Sequence, residues 1–211
     1  MTHKQEAYET QARTIIKNLE KRNMEGYYFA DKKSCKDFIL QMIPIGSVVT
    51  NGGSMTTDEM GLMDELSSGK FLFIDRMLSK TTAEKRETYS KIVMADYYFM
   101  STNAITLTGE LVNIDGAGNR VACLIHGPEN IIVVTGMNKV VSTVEEGISR
   151  SQNFAAATNV KRLSKKTPCF ETGVCADCLA PDCICNQIVI TRRSGIKGRI
   201  KVFLIGETLG Y

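Results

Sequence analysis

Apolar residues recur at three- and four-residue steps along residues 2–25, where Ala7, Tyr8, Ala12, Ile15, Ile16 and Leu19 interrupt a charged background. That spacing predicts an amphipathic helix, ended by Gly26. Tyr27-Tyr28-Phe29-Ala30 reads as a short strand, residues 32–43 as a helix closed by Pro44 and Gly46, and Ser47-Val48-Val49-Thr50 as a second strand. Asn51-Gly52-Gly53-Ser54 is a sharp turn, and Met55, Met60, Leu62, Met63 and Leu66 mark a helix over roughly 55–67.

The alternation continues with a strand at Phe71-Leu72-Phe73-Ile74, a helix over 82–95 and a strand at Asp96-Tyr97-Tyr98-Phe99-Met100. Two β-prone runs around Gly109-Glu110, within 105–114, predict a hairpin. Residues 120–125 and 131–135 read as two more strands separated by His126-Gly127-Pro128. A helix is expected over 138–157, with Val140, Val141, Val144 and Ile148 on its buried side, and the last strands at 188–190 and 200–205. Strands separated by helices of about a dozen residues predict an α/β fold, a mostly parallel sheet covered on both faces, with an antiparallel addition from the hairpin. No linker, repeat or low-complexity tract divides residues 1–211, which read as one domain containing a cysteine-rich segment at 164–186.

Composition narrows the classes. The chain has 211 residues with 43% hydrophobic and 23% charged, ordinary for a globular protein. A net charge of +3 is too small for a general nucleic-acid binder. No apolar run reaches the ~20 residues of a bilayer span, and Met1-Thr2-His3-Lys4-Gln5-Glu6 lacks the layout of a signal peptide. A cytoplasmic protein with no membrane partner is the expectation.

Two polar segments follow strands in positions where open α/β sheets bind ligands. Thr50-Asn51-Gly52-Gly53-Ser54 opens a helix, so free N–H groups and glycines can admit an anion, with Ser54 capping the helix or donating its hydroxyl. It is neither a P-loop nor a dinucleotide fingerprint, and a plain tight turn is an equally simple reading. Ser101-Thr102-Asn103 follows another strand, and Asn113-Ile114-Asp115-Gly116-Ala117-Gly118-Asn119-Arg120 forms a glycine-broken polar loop. That loop can line a site for a small anionic metabolite, or can bond to its own backbone. Only His3 and His126 are available for histidine chemistry, so an acid–base enzyme would depend on carboxylates such as Glu110 or Asp115.

Five of the seven cysteines lie in Cys169-x5-Cys175-x2-Cys178-x4-Cys183-x-Cys185. A Cys-x2-Cys pair with two further thiolates can surround zinc or an iron–sulfur cluster, and reduced thiols are the alternative. Nine basic residues against four acidic ones between Lys161 and Tyr211 give this end a surplus that can offset thiolates, meet an anion or simply face solvent. Cys35 and Cys123 read as small buried hydrophobes.

The stretch from Ala95 to Asn113, together with Asn119-Arg120-Val121-Ala122, the run from Asn130 to Val140 and the ending Leu204-Ile205-Gly206-Glu207-Thr208-Leu209-Gly210-Tyr211, resembles the lactate-utilisation (LUD) domain family. The turn at 50–54 fits as well. The resemblance implies a Rossmann-like sheet with an added antiparallel lobe, the fold of sugar-phosphate isomerases and CoA transferases. The cysteine tail is similar to that of short, stand-alone members, which implies metal ligands at Cys169, Cys175, Cys178 and Cys185 and leaves Cys183 spare. Some relatives act with iron–sulfur partners in oxidising lactate to pyruvate. Three functions follow as expectations. The first is a binder of a small anionic metabolite through Asn51, Gly52, Gly53, Ser54, Ser101, Thr102, Asn103, Asn113, Asp115, Gly116, Gly118 and Asn119. The others are an enzyme of CoA-transferase or isomerase type, and a metal-binding regulatory or electron-transfer accessory. Homo-oligomerisation is left open by the sequence.

Overall fold

The computed structural model describes residues 2–211. Helix α1 (His3–Lys21) begins at a capping box in which Thr2 accepts from the Gln5 N–H and the Gln5 side chain accepts from the Thr2 N–H. It leads into β1 (Glu25–Phe29), α2 (Lys32–Met42) and β2 (Val48–Asn51). The expected helix over 55–67 is instead two short ones, α3 (Met55–Glu59) and α4 (Leu62–Leu66), because Gly61 sits between them at φ +62°, where no helix continues. Strand β3 (Leu72–Ile74), a 3₁₀ turn (Arg76–Leu78), α5 (Thr82–Val93) and β4 (Tyr97–Met100) follow.

The expected hairpin is present as β5 (Ala104–Thr106) and β6 (Leu111–Asp115), paired antiparallel. The run at 120–125, expected as a strand, is helix α6 (Asn119–Ile125). A short apolar run fits a buried strand or one buried helix face equally well. The surroundings decide: Gly118 turns the chain at φ +82°, and Arg199 gathers the carbonyls at the helix's far end. Next come β7 (Asn130–Gly136), a 3₁₀ turn (Met137–Lys139) and β8 (Val140–Val141). Val140 and Val141 therefore belong to a strand paired with β5, rather than to the expected helix over 138–157. The helix starts only after Thr143, whose side chain accepts from the Glu146 N–H while Glu146 accepts from the Ser142 N–H. It runs on through α7 (Val144–Arg150), a π-helical turn (Ser151–Ala156) and α8 (Ala157–Arg162). Helix α9 (Pro168–Thr172) and strands β9 (Gln187–Thr191) and β10 (Ile200–Ile205) complete the chain.

Six strands form an all-parallel sheet in the order β1-β10-β7-β4-β2-β3, and a mixed sheet runs β8-β5-β6-β9. The central strands are apolar throughout because both of their faces are covered. Ile131, Val133, Tyr98, Met100, Val202 and Leu204 point to the face packed by α1, α5, α6 and the β5–β6 pair. Their sequence neighbours Ile132, Val134, Phe99 and Phe203 point to the face packed by α2 and α4. Cys35 and Cys123 are fully buried, one in each core. Among the described residues no helix is long and apolar enough to cross a membrane.

Arg199 is buried and donates to the carbonyls of Pro128 (3.0 Å), Leu124 (2.7 Å) and Cys123 (2.8 Å), satisfying groups that the end of α6 leaves unpaired. Arg199→Leu strands these acceptors without water. We expect a loss of about 2–4 kcal/mol, read as a lower denaturant midpoint at unchanged slope.

Candidate functional site

Parallel register brings the carboxyl ends of neighbouring strands to one edge. Asn51 lies opposite Phe99 and Met100 opposite Val133, so the segments leaving β2, β4 and β7 emerge side by side, with β3 beyond β2. Between them opens a cleft of about 330 Å³. Gly52, Gly53 and Ser54 (after β2), Arg76 (after β3), Ser101, Thr102 and Asn103 (after β4) and Lys139 (after β7) line it. The second sheet contributes Asp115 and Gly116, and Asn119 and Arg120 come from the start of α6. The opposite wall is the long helix through Ser151, Ala155 and Arg162, with Tyr211 beside it. The π turn falls on this wall, a location where such turns often serve a site.

The glycines at 52 and 53 are required by their neighbours. A Cβ on Gly52 would lie 2.5 Å from the Tyr98 hydroxyl and 2.9 Å from Arg120 Cγ. Gly53 has φ +75°, and the Arg76 guanidinium packs directly over it. Asn51 does not line the cleft; its Oδ1 accepts from the Gly53 N–H at 2.7 Å and fixes the turn. Ser54 occupies the cap position of α3 but makes no side-chain cap bond, so its hydroxyl is not committed there.

Several residues that read as ligand contacts also hold the scaffold, and two of them, Asn113 and Gly118, lie outside the cleft lining. Thr102 is buried and donates to the Ala104 carbonyl at 2.8 Å. Asn103 Oδ1 accepts from the Ile114 N–H at 2.8 Å. Asn113 is fully buried outside the cleft lining, with Oδ1 accepting from Arg120 at 2.6 Å and Nδ2 without a partner. Gly118 also lies outside the lining and donates its N–H to Asp115 Oδ1 at 2.8 Å. The other Asp115 oxygen faces Arg120 Nε at 3.3 Å, so this carboxylate is engaged on both sides. Glu110 is not in the cleft: it pairs with Arg22 at the end of α1 and accepts from the Thr106 and Thr108 hydroxyls. Burial works to raise the Glu110 pKa, but the two hydroxyls and Arg22 outweigh it and hold the carboxyl below its ordinary value.

Arg76, Arg120, Lys139 and Arg162 give the cleft its charge; the residue pattern singles out none of Arg76, Lys139 and Arg162, and reaches Arg120 only as the last residue of the 113–120 loop. Arg120 was placed on an expected strand and Lys139 in an expected helix. A usable signal for Lys139 was present: it lies just beyond the apolar run at 131–135, the same strand-end position that singled out Ser101-Thr102-Asn103. Lys139 is only 2% exposed. Its Nζ donates to Thr56 Oγ1 at 2.9 Å and to Ser101 Oγ at 3.1 Å. Among the described residues neither Lys139 nor Arg76 forms an ion pair with a carboxylate. Burial first, then the nearby Arg150 and Arg120, push the Lys139 pKa down to about 7, against a smaller upward pull from Glu59. Arg162 Nε donates to the Tyr211 hydroxyl at 2.8 Å, and that hydroxyl donates to Asn159 at 2.9 Å.

The cysteine segment borders the cleft through Ile184, which packs against Gly116. Cys169 is buried in a small apolar cluster with Ala157 and Val160, and its sulfur lies 3.2 Å from the Thr167 hydroxyl. Burial and then the sulfurs of Cys183, Cys175 and Cys169 push the Cys185 thiol up to about 12; Cys178 is not among these neighbours. Among the described residues no three Cys, His, Asp or Glu side chains are arranged to hold a metal ion. Of the thiols expected to ligate a metal, Cys169 and Cys175 lie close enough to Cys185 to act on it. Packing draws Cys169 into an apolar cluster, and Cys183, expected to be spare, takes the place beside Cys185.

Comparison with known proteins supports the architecture. A DUF162 family protein from Deinococcus radiodurans is similar in structure at 14% identity, with a TM-score of 0.52 over 95% of this chain and 98% of that one. Ribose 5-phosphate isomerase from Plasmodium falciparum matches at 14% identity and a TM-score of 0.32, over 53% of this chain and 52% of that one. The δ subunit of eIF2B from Chaetomium thermophilum matches at 16% identity and 0.36, over 56% and 51%. The last two likenesses are too partial to bear on function. No curated protein matches the chain. The model of the LUD domain matches residues 12–205, nearly the whole sequence, and the chain belongs to the LUD domain family.

Proposed function

We propose that this protein binds a small anionic metabolite in the strand-end cleft. The observation that carries the reading is a charge imbalance: Arg76, Arg120, Lys139 and Arg162 line the cleft, and among the described residues the one carboxylate side chain there, Asp115, is already engaged by Arg120. Uncompensated cations in a confined space favour an anion as the missing partner. A volume of about 330 Å³ suits a carboxylate or phosphate of a few carbons. A role in lactate or pyruvate metabolism is the corresponding proposal at the level of the family, since both compounds are anions of this size.

Arg76 packs over the Gly53 turn, and Lys139 bonds to Thr56 within the same lining. Titration calorimetry with sulfate, lactate, pyruvate and ribose 5-phosphate tests the reading. Arg76→Ala should weaken the preferred anion by about 10–100-fold, the worth of one charge-assisted contact. Gly53→Glu, which puts a carboxylate and a strained backbone under Arg76, should abolish binding. Unchanged affinity in both variants rejects the cleft.

The lysine predicts a pH signature. Below about 7 Lys139 is a cation, and above it the amine is neutral, so sulfate affinity should fall between pH 6 and pH 8.5. The ligand-free protein should show the opposite trend in stability. Between about pH 7 and the ordinary lysine value the unfolded chain carries a proton that the folded one lacks, so folding strengthens as pH rises. The difference in Tm between wild type and Lys139→Met, followed from pH 6.5 to 9.5, isolates this contribution. A difference that stays flat removes the depressed pKa.

A further inference from the structure

Lys139 differs in kind from the other cations of the cleft. Arginines remain charged at any ordinary pH and suit permanent anion contacts, whereas a lysine can release its proton when burial opposes charge. Lys139 faces Thr56 from α3, Ser101 from the segment after β4, Arg150 from α7 and Arg120 from α6, with Glu59 acting against the arginines. The backbone near Gly210 closes the remaining side, since a Cβ there would approach Nζ to 3.2 Å. Its direct hydrogen-bond partners are two hydroxyls, and its nitrogen still reaches the cleft. A site built only to hold an anion gains nothing from a cation that burial and two arginines work to discharge. A nucleophilic amine gains its lone pair from that same environment.

We propose that Lys139 condenses with the carbonyl group of a small oxo-anion, an aldehyde or ketone that carries a carboxylate or phosphate, to form an imine. The proposal rests on the anion reading above, with the charged group paired to Arg76 and the carbonyl at Lys139. The nitrogen lone pair adds to the carbonyl carbon, a C–N bond forms, and the carbonyl π pair moves to oxygen, which takes up a proton. The nitrogen then loses a proton, the hydroxyl leaves as water after taking another, and the C=N bond closes. No oxidant or reductant takes part. The Thr56 and Ser101 hydroxyls, 2.9 and 3.1 Å from Nζ, are placed to pass these protons.

Pyruvate and glyceraldehyde 3-phosphate serve as probes, each incubated with the full chain and cyanoborohydride near pH 7, followed by intact mass and peptide mapping. The expected result is one reduced adduct on Lys139, formed about tenfold or more faster than on the exposed Lys32, because burial keeps part of the Lys139 amine neutral near pH 7. Excess sulfate should protect it, and Lys139→Arg should remove it. Mapping of the wild type decides the question even if Lys139→Arg does not fold. Labelling of Lys139 no faster than Lys32, or no adduct while sulfate still binds, overturns the imine and leaves the anion site standing. Failure of sulfate itself to bind overturns both.

Discussion

The Arg120 guanidinium lies where the two sheets meet and carries the geometry of the cleft. It donates to the Ser101 carbonyl at 3.1 Å on the parallel-sheet side, and to Asn113 Oδ1 and the Ile114 carbonyl, at 2.6 and 2.7 Å, on the other. Asp115 and Asn103 complete its surroundings. Burial opposes its charge and Asp115 supports it, so the group is retained only because each of its donors finds an oxygen. The polar residues at the ends of β4 and β6 are held in place by this one side chain. The cleft beside them is preorganised as a result, because its walls cannot separate without exposing buried acceptors.

Arg120 is thus committed to structure. Arg76, Arg162 and Lys139 come from three distant parts of the chain, and no carboxylate offsets them inside the cleft. The lysine is the deepest of the three and the only one able to change charge near neutral pH. The cleft therefore combines permanent positive charge from its arginines with a buried amine between two hydroxyls. Glu110, which the residue pattern nominated for acid–base work, instead braces the hairpin against α1 through Arg22.

Local pattern was most informative where one physical demand acted alone. Central strands such as 131–135 must be apolar on both faces, and amphipathic α1 on one, so both could be read directly. The Gly52-Gly53 turn was equally legible, since only glycine tolerates the contacts of Tyr98, Arg120 and Arg76. Failures came where two structures satisfy the same residues. Val121, Cys123 and Leu124 can be buried by a strand or by a helix, and the carbonyl acceptors of α6 are met by Arg199, some 75 residues away. Val140 and Val141 were assigned to a helix because their partner strand, β5, cannot be seen from nearby sequence.

Periodicity and punctuation thus set the α/β class and the strand-end loops, since each depends on residues a few positions apart. The strand order, the helical form of α6, the grouping of the thiols and the cations of the cleft were set by contacts between distant segments. A lone Arg76 or Lys139 in a sequence is indistinguishable from a solvated surface charge. It acquires meaning only when folding removes water and carboxylates from around it and leaves the charge without a partner.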